Sequence, residues 1–293
     1  MAKLLKEKEH DKKQISISLA ALILAAASSC ITIKTNGHEP ATAASRSTSA
    51  ALSPDQLIAG GKLFTAVWMQ KSAEYKALCL QAFQLADLRL TQILTYQKPM
   101  RPLAIVTDID ETFLDNSPYA IHQALQGKDF DPASWNEWVN QASADTIPGA
   151  FSFFHHAAAQ GVTVFYVTNR DQAGRAATLK NLRKFNFPNA DDQHLLTMAA
   201  TSSKQARRDS ISEHYTIALL LGDNLTDFSA LFDNHPTAAE RTSAVLNHKE
   251  AFGKKFIVLP NPNYGDWENA LYQYKHLSPA QKAAAFKKAG KSY

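Results

Sequence analysis

The chain predicts a doubly wound, parallel α/β sheet, and three observations carry that prediction. Four short, continuously apolar runs with β-branched residues occur at 103–107, 162–168, 217–221 and 256–259, the pattern of strands buried on both faces. Helical stretches separate them, as in a βαβ series. Each run also ends directly in polar residues: Asp108-Ile109-Asp110, Thr168-Asn169-Arg170, Gly222-Asp223-Asn224 and Pro260-Asn261-Pro262-Asn263. In open α/β sheets ligands bind beyond the carboxyl ends of the strands, so four strand ends bring these groups to one rim.

The elements follow in order. Residues 1–29 read as an export signal: Lys12 and Lys13 precede the apolar stretch 15–27, which is too short to span a bilayer comfortably. Small residues then lead to Cys30, as in a bacterial lipoprotein signal whose Cys becomes the acylated first residue. Ala27 stands where such signals carry Leu or a similar residue, and a plain secretory signal with an incidental Cys is the alternative. With Cys30 acylated, Cys79 is left alone in an apolar helical pattern, so no disulfide framework is implied and an inert core thiol is expected. The Ser/Thr/Ala-rich segment 30–52 reads as a flexible tether, and 53–293 as the folded domain. Its first helix starts at Pro54, with Ser53 or Asp55 as cap and Leu57, Phe64, Val67 and Trp68 near one face. A second covers 72–96, with Leu78, Phe83, Leu85, Leu88, Leu90 and Leu94; both are expected beside the sheet. Further helices are expected at 148–160, 171–185 and 203–214, and 116–148 forms an insertion too small for a large independent cap.

Charge excludes one class of function. Residues 1–13 hold five Lys against Glu7, Glu9 and Asp11, a net +2, and 14–29 hold none, so of the overall +4 only +2 belongs to the remainder. That balance, without an arginine-rich stripe, points away from a nucleic acid polymer as partner. Neither GxGxxG nor GxxxxGK[ST] occurs.

The chemistry is concentrated at Asp108 and Asp110. Folding asks for no pair of carboxylates at the end of a buried strand; they repel, and burying either costs several kcal/mol unless something offsets it. A divalent cation would. The arrangement suggests one Asp as metal ligand and nucleophile and the other as acid/base. Asp-x-Asp-x-Thr at one strand end, Thr168 at the next, a later Lys204 and Gly-Asp-x-x-x-Asp at 222–227 together resemble the haloacid dehalogenase (HAD) superfamily of phosphatases. Within it, DIDETFLDNSPYA, VFYVTNR, LLLGDNLTDF and LPNPNYGDWE, spread over 104–268, resemble the class C acid phosphatases of the lipoprotein e(P4) group.

That resemblance implies a HAD-type, Rossmann-like sheet with a small helical cap insertion and N-terminal helices. Asp108 would be the nucleophile that forms an aspartyl-phosphate, and Asp110 the acid/base. Mg²⁺ would be held by the Asp108 carboxylate, the Asp110 backbone carbonyl and Asp223, with Asp227 behind them orienting metal waters or Lys204. Thr168, Asn169 and Lys204 would hold the phosphoryl group. Read as residues alone, Lys204 can equally belong to a solvated helix face with Arg207 and Arg208, Asp227 to a helix first turn, and Arg170 can contact substrate or pair with Asp171 or another acid.

Trp135 and Trp138 in the insertion and Tyr264 at the last strand end could stack on a planar ring of the substrate, or pack in the core. The resemblance favours nucleoside 5′-monophosphates or nicotinamide mononucleotide, a lipid-anchored protein on the bacterial outer membrane or periplasmic face, and allows a homodimer. Two other readings of the same residues are a receiver-type phospho-acceptor module and a non-catalytic surface-binding lipoprotein on this scaffold.

Overall fold

The computed structural model describes residues 53–233 and 237–293. The leader 1–29, Cys30 and the tether to residue 52 lie outside the described residues. Among those described, no helix is long and apolar enough to cross a membrane.

The strands are β1 (Leu103–Thr107), β2 (Leu114–Asp115), β3 (Asp145–Thr146), β4 (Thr163–Val167), β5 (Leu195–Leu196), β6 (Thr216–Gly222) and β7 (Phe256–Val258). Five of them form a parallel sheet in the order β5-β4-β1-β6-β7. β2 and β3 pair antiparallel apart from it. The chain leaves β1 to one side for β4 and to the other for β6, so the carboxyl end of β1 lies at the switch point where such sheets bind ligands. All four expected strands are present; β5 was not expected, because two residues show no period.

The sheet is covered on both faces, and β1 shows how. Leu103 and Ile105 join one buried cluster with Phe83, Leu90, Phe154 and Tyr166. Ala104 and Val106 join the other with Phe165, Leu220 and Phe228. Alternate side chains go to opposite faces, so a strand with two dry faces is apolar throughout.

The helices are α1 (Pro54–Lys71), α2 (Ala73–Tyr96), α3 (Ser117–Leu125), α4 (Pro132–Gln141), α5 (Ala150–Ala159), α6 (Arg175–Lys184), α7 (Gln205–Ser212), α8 (Ala238–Asn247), α9 (Asp266–Leu271) and α10 (Pro279–Ala289). Ser53 caps α1 in a reciprocal pair with Gln56. α5 starts two residues after Pro148, because Gly149 takes φ +94° and a Cβ there would press on Phe83 at 3.0 Å. Asp171 caps the turn before α6, accepting from the Gly174 amide at 2.9 Å.

The two N-terminal helices depart from expectation. α2 packs on the sheet, but α1 packs mainly against α3 and α10. The apolar faces read from spacing are only in part the buried ones: Phe83 and Leu90 are buried, and Trp68 and Leu85 pack against the core. Leu57, Phe64 and Val67 of α1 and Leu78, Leu88 and Leu94 of α2 are exposed. α2 turns inward Tyr75, Cys79, Ala82, Phe83, Ala86 and Leu90, whose two alanines allow a close approach to the sheet. Both helices carry apolar residues on most sides, so spacing did not single out a face. Cys79 is fully buried, and burial pushes its thiol up to about 11, as an inert core cysteine requires.

Candidate active site

The rim beyond β1, β4 and β6 is built by strands that stop in register. The Asp108 amide donates to Leu221 O at 2.9 Å and the Thr168 amide to Leu196 O at 3.0 Å, so both residues are still held by the sheet when their side chains emerge. Asp223 follows directly on β6. Asp227 returns through one 3₁₀ turn, Leu225–Asp227, with Oδ2 accepting the Asn224 amide at 3.0 Å. The return is close. A Cβ on Gly222 would lie 2.7 Å from Asp227 Cγ, so no larger residue fits at 222 without displacing that carboxylate.

The result is a compact charge cluster. Carboxylate oxygens of Asp108, Asp223 and Asp227 lie within 4.8 Å of one another. The Lys204 ammonium reaches in from the start of α7, bonding Asp108 Oδ1 and, at 2.6 Å, Asp227 Oδ1. Lys204 is 4 % exposed, which removes it from any solvated helix face. Burial pushes the Asp108 carboxyl up to about 7 against the pull of Lys204. Burial also raises Asp223 well above its ordinary value, and the neighbouring Asp227 and Asp108 add to it. Burial opposes the Lys204 charge in turn, but Asp108 and Asp227 outweigh it and hold its pKa above the ordinary lysine value.

Three carboxylates against one ammonium leave an excess of negative charge in a largely dry site. Hard oxygen donors so placed suit Mg²⁺ or a similar divalent cation, which keeps waters and substrate oxygens in its remaining positions. Asp227 does two things here. It holds Lys204, and its carboxylate lies within 4.8 Å of those of Asp108 and Asp223.

Asp110 is turned elsewhere. Arg170 clamps it, with Nη2 at 2.7 Å and Nε at 3.0 Å from Oδ1, and Asn116 Nδ2 donates to the same oxygen at 2.8 Å. Arg170 therefore pairs with an acid, and that acid is Asp110. Its own guanidinium is buried, with Nη1 on Thr178 Oγ1 at 3.1 Å.

Thr168 is fully buried and accepts the Arg170 amide at 3.1 Å, which leaves its hydroxyl proton free to donate. Asn169 accepts Arg207 Nη2 at 2.8 Å, so its Nδ2 is the group left for a ligand. Arg207 also reaches Thr168 O at 2.6 Å. It fixes this turn, a function that an arginine read as part of a solvated helix face did not advertise.

The aromatics divide. Trp138 packs against the core and spends its indole N–H on Asn116 Oδ1 at 2.8 Å. Trp135 lies edge-on to Tyr119 at 5.2 Å, with the Arg170 guanidinium 5.8 Å from its ring centre. Tyr264 is 38 % exposed, and its hydroxyl donates to Glu111 Oε2. Glu111 is the acidic residue that sequence reasoning passed over. It is buried at φ +53°, and burial, reinforced by Asp110, pushes it up to about 8.

Known proteins resemble this chain in sequence and fold. The model of the HAD superfamily, subfamily IIIB (acid phosphatase), matches residues 29–267. The class C acid phosphatase of Bacillus anthracis is 36 % identical, superposes with a TM-score of 0.77, and the match covers 81 % of this chain and 99 % of that one. A second crystal structure of that protein, with tungstate bound, superposes equally well. Among plant proteins, a stem 31 kDa glycoprotein of Glycine max is 29 % identical over 125 residues, 41 % of this chain and 49 % of that protein. Acid phosphatase 1 of Solanum lycopersicum is 28 % identical over 131 residues, 42 % and 50 %. The chain thus spans about half the length of the plant relatives it matches. By the extent of the family match and the 36 % identity carried over nearly all of the bacterial structure, the chain belongs to the HAD superfamily, subfamily IIIB, as a class C acid phosphatase.

Proposed function

We propose that the protein is an exported, Mg²⁺-dependent phosphomonoesterase that works through an aspartyl-phosphate on Asp108. The observation that carries this is the junction of Asp108, Lys204, Asp223 and Asp227 at one strand-end rim. Asp108 attacks phosphorus, and the phosphoryl group passes from the substrate oxygen to its carboxylate. Lys204 holds Asp108 and offsets charge on the transferring group. Thr168 Oγ1 and Asn169 Nδ2 supply neutral donors to the same oxygens. Asp110, held by Arg170 and Asn116, gives a proton to the departing oxygen and then takes one from the water that releases phosphate. Asp108 and Asp223, with the Asp110 carbonyl and Asp227 beside them, would hold the cation. When bound it neutralises charge on the phosphoryl oxygens. The tungstate bound to the Bacillus anthracis protein fits this reading, since tungstate is a tetrahedral oxyanion like phosphate.

The substrates we favour carry a planar ring: nucleoside 5′-monophosphates or nicotinamide mononucleotide, with Tyr264 and Trp135 as the rings best placed to stack and Trp138 supporting them. Export and acylation at Cys30 complete the proposal, and the mass of the mature N-terminus tests them: an acylated Cys30 is expected, and an unacylated one refutes the anchor.

The mechanism is tested by Asp108→Asn, which keeps the shape of the side chain and removes the attacking charge. Turnover of p-nitrophenyl phosphate should fall by on the order of 10³-fold or more, about 4 kcal/mol of transition-state stabilisation. Retained turnover would remove Asp108 from the reaction.

A further inference from the structure

Glu111 combines two unfavourable features. It is a non-glycine residue at φ +53°, a conformation that costs about 1–2 kcal/mol. Its carboxyl group is buried, with 1 % of the residue exposed, and stands next to Asp110. Yet it belongs neither to the cation cluster nor to the groups that would touch phosphorus. Residues so placed persist when the surroundings over-determine them, and they gather at functional sites.

Its bonds show what it does. Oε1 accepts the Asn116 amide at 2.9 Å. Oε2 accepts the hydroxyl of Tyr264, a residue 153 positions away on the loop after β7. Asn116 in turn bonds Asp110 Oδ1 at 2.8 Å and receives the Trp138 indole at 2.8 Å. A continuous chain, Tyr264–Glu111–Asn116, thus joins an aromatic ring at the mouth of the site to the turn that carries Asp108 and Asp110. Tyr264 is 38 % exposed while its hydroxyl ends on a fully enclosed carboxyl group, so the side chain is fixed at its tip and still partly open to solvent. The loop around it is anchored through its backbone and neighbours, with Trp267 Nε1 on Tyr264 O at 3.1 Å and Asn263 Nδ2 on Lys62 O and Thr65 Oγ1 at 3.0 Å each, and the Glu111 bond adds a fixed point for the tip of the Tyr264 side chain.

We propose that Glu111 is a specificity-determining positioning residue, whose carboxyl group holds the Tyr264 ring at the distance from Asp108 that a planar substituent of the substrate must match. The catalytic turn then sets its own ring-to-phosphorus spacing. This rests on the reading of the rim as a phosphomonoester site with Tyr264 beside a ring.

The experiment measures kcat and KM of the full chain with a nucleoside 5′-monophosphate and with ribose 5-phosphate, for wild type, Tyr264→Phe, Glu111→Ala and the double variant. The wild-type ratio between the two substrates reports on ring recognition alone. No turnover of either refutes the phosphomonoesterase reading, and equal KM values refute the ring; both are seen before any variant is made. Tyr264→Phe keeps the ring and cuts only its tether. It should raise KM for the nucleotide roughly 5-fold more than for ribose 5-phosphate, with kcat moving less than KM. Glu111→Ala should show the same substrate-selective change, and the double variant should be no worse than the poorer single one. Glu111→Gln, which keeps an acceptor oxygen, should recover most of the loss. Multiplying losses in the double variant, or equal changes for both substrates, would overturn the proposal. If Glu111→Ala does not fold, Tyr264→Phe decides alone, because it removes one oxygen from a partly exposed ring.

Discussion

Two carboxylates of the same turn, Asp108 and Asp110, live in different halves of the site. Asp108 faces the acidic cluster and meets a flexible ammonium, Lys204, shared with Asp227. Asp110 faces the insertion and meets a planar guanidinium, Arg170, with Asn116 on the same oxygen. A point charge on a long stem can follow a group whose charge moves during phosphoryl transfer; a fork holds a group in one orientation. The first half is therefore suited to charge, and the second to geometry. The same division extends outward. The Asp108 side is made of strand ends, fixed by the sheet. The Asp110 side leads through Asn116 and Arg170 into the 116–148 insertion, where Trp138 and Trp135 lie against those two residues.

The comparison breaks most sharply at Lys204. Lys204→Met should lower kcat on the order of 10³-fold for every phosphomonoester, whatever its leaving group, because the charge acts on the phosphoryl group itself. Steady-state kinetics on one aryl and one alkyl phosphate check this; a leaving-group-dependent loss would move Lys204 to the other half. Asp110→Asn should show the opposite signature. Alkyl phosphates, whose leaving oxygens need a proton, should lose on the order of 10²-fold or more, and p-nitrophenyl phosphate clearly less. Equal losses on the two would mean that Asp110 is not the acid. The smallest effect belongs to the insertion. Trp135→Ala should cost about 5- to 150-fold in kcat/KM on ring-bearing substrates. A comparable loss on ribose 5-phosphate would assign Trp135 to the support of Arg170 instead.

The two halves also differ in how far they could be read in advance. Asp108, Asp110, Thr168 and Asp223 were visible because an apolar run that stops abruptly at a polar residue marks both the strand and its functional end. β5 was not, since two leucines carry no period. The pairings were not visible either. Arg170 and Asp110 are 60 positions apart, and Glu111 and Tyr264 are 153 apart; nothing local to either member names the other. Asp227 was recognised by its spacing from Asp223. Its close approach depends on Gly222, whose missing Cβ admits it; the motif named that glycine, but the spacing alone did not say why it must be one. The faces of α1 and α2 were only partly legible for a related reason. Spacing locates apolar residues, but which of several apolar faces turns inward depends on the sheet and on α3 and α10.

The central claim is that the excess of carboxylates over ammonium at the rim holds a divalent cation needed for phosphoryl transfer. Hydrolysis of p-nitrophenyl phosphate by the wild-type protein, treated with EDTA and then supplied with Mg²⁺, tests it most directly. Turnover should be lost on chelation and return on addition of Mg²⁺ in excess of the chelator. A rate undiminished by exhaustive chelation would contradict the claim.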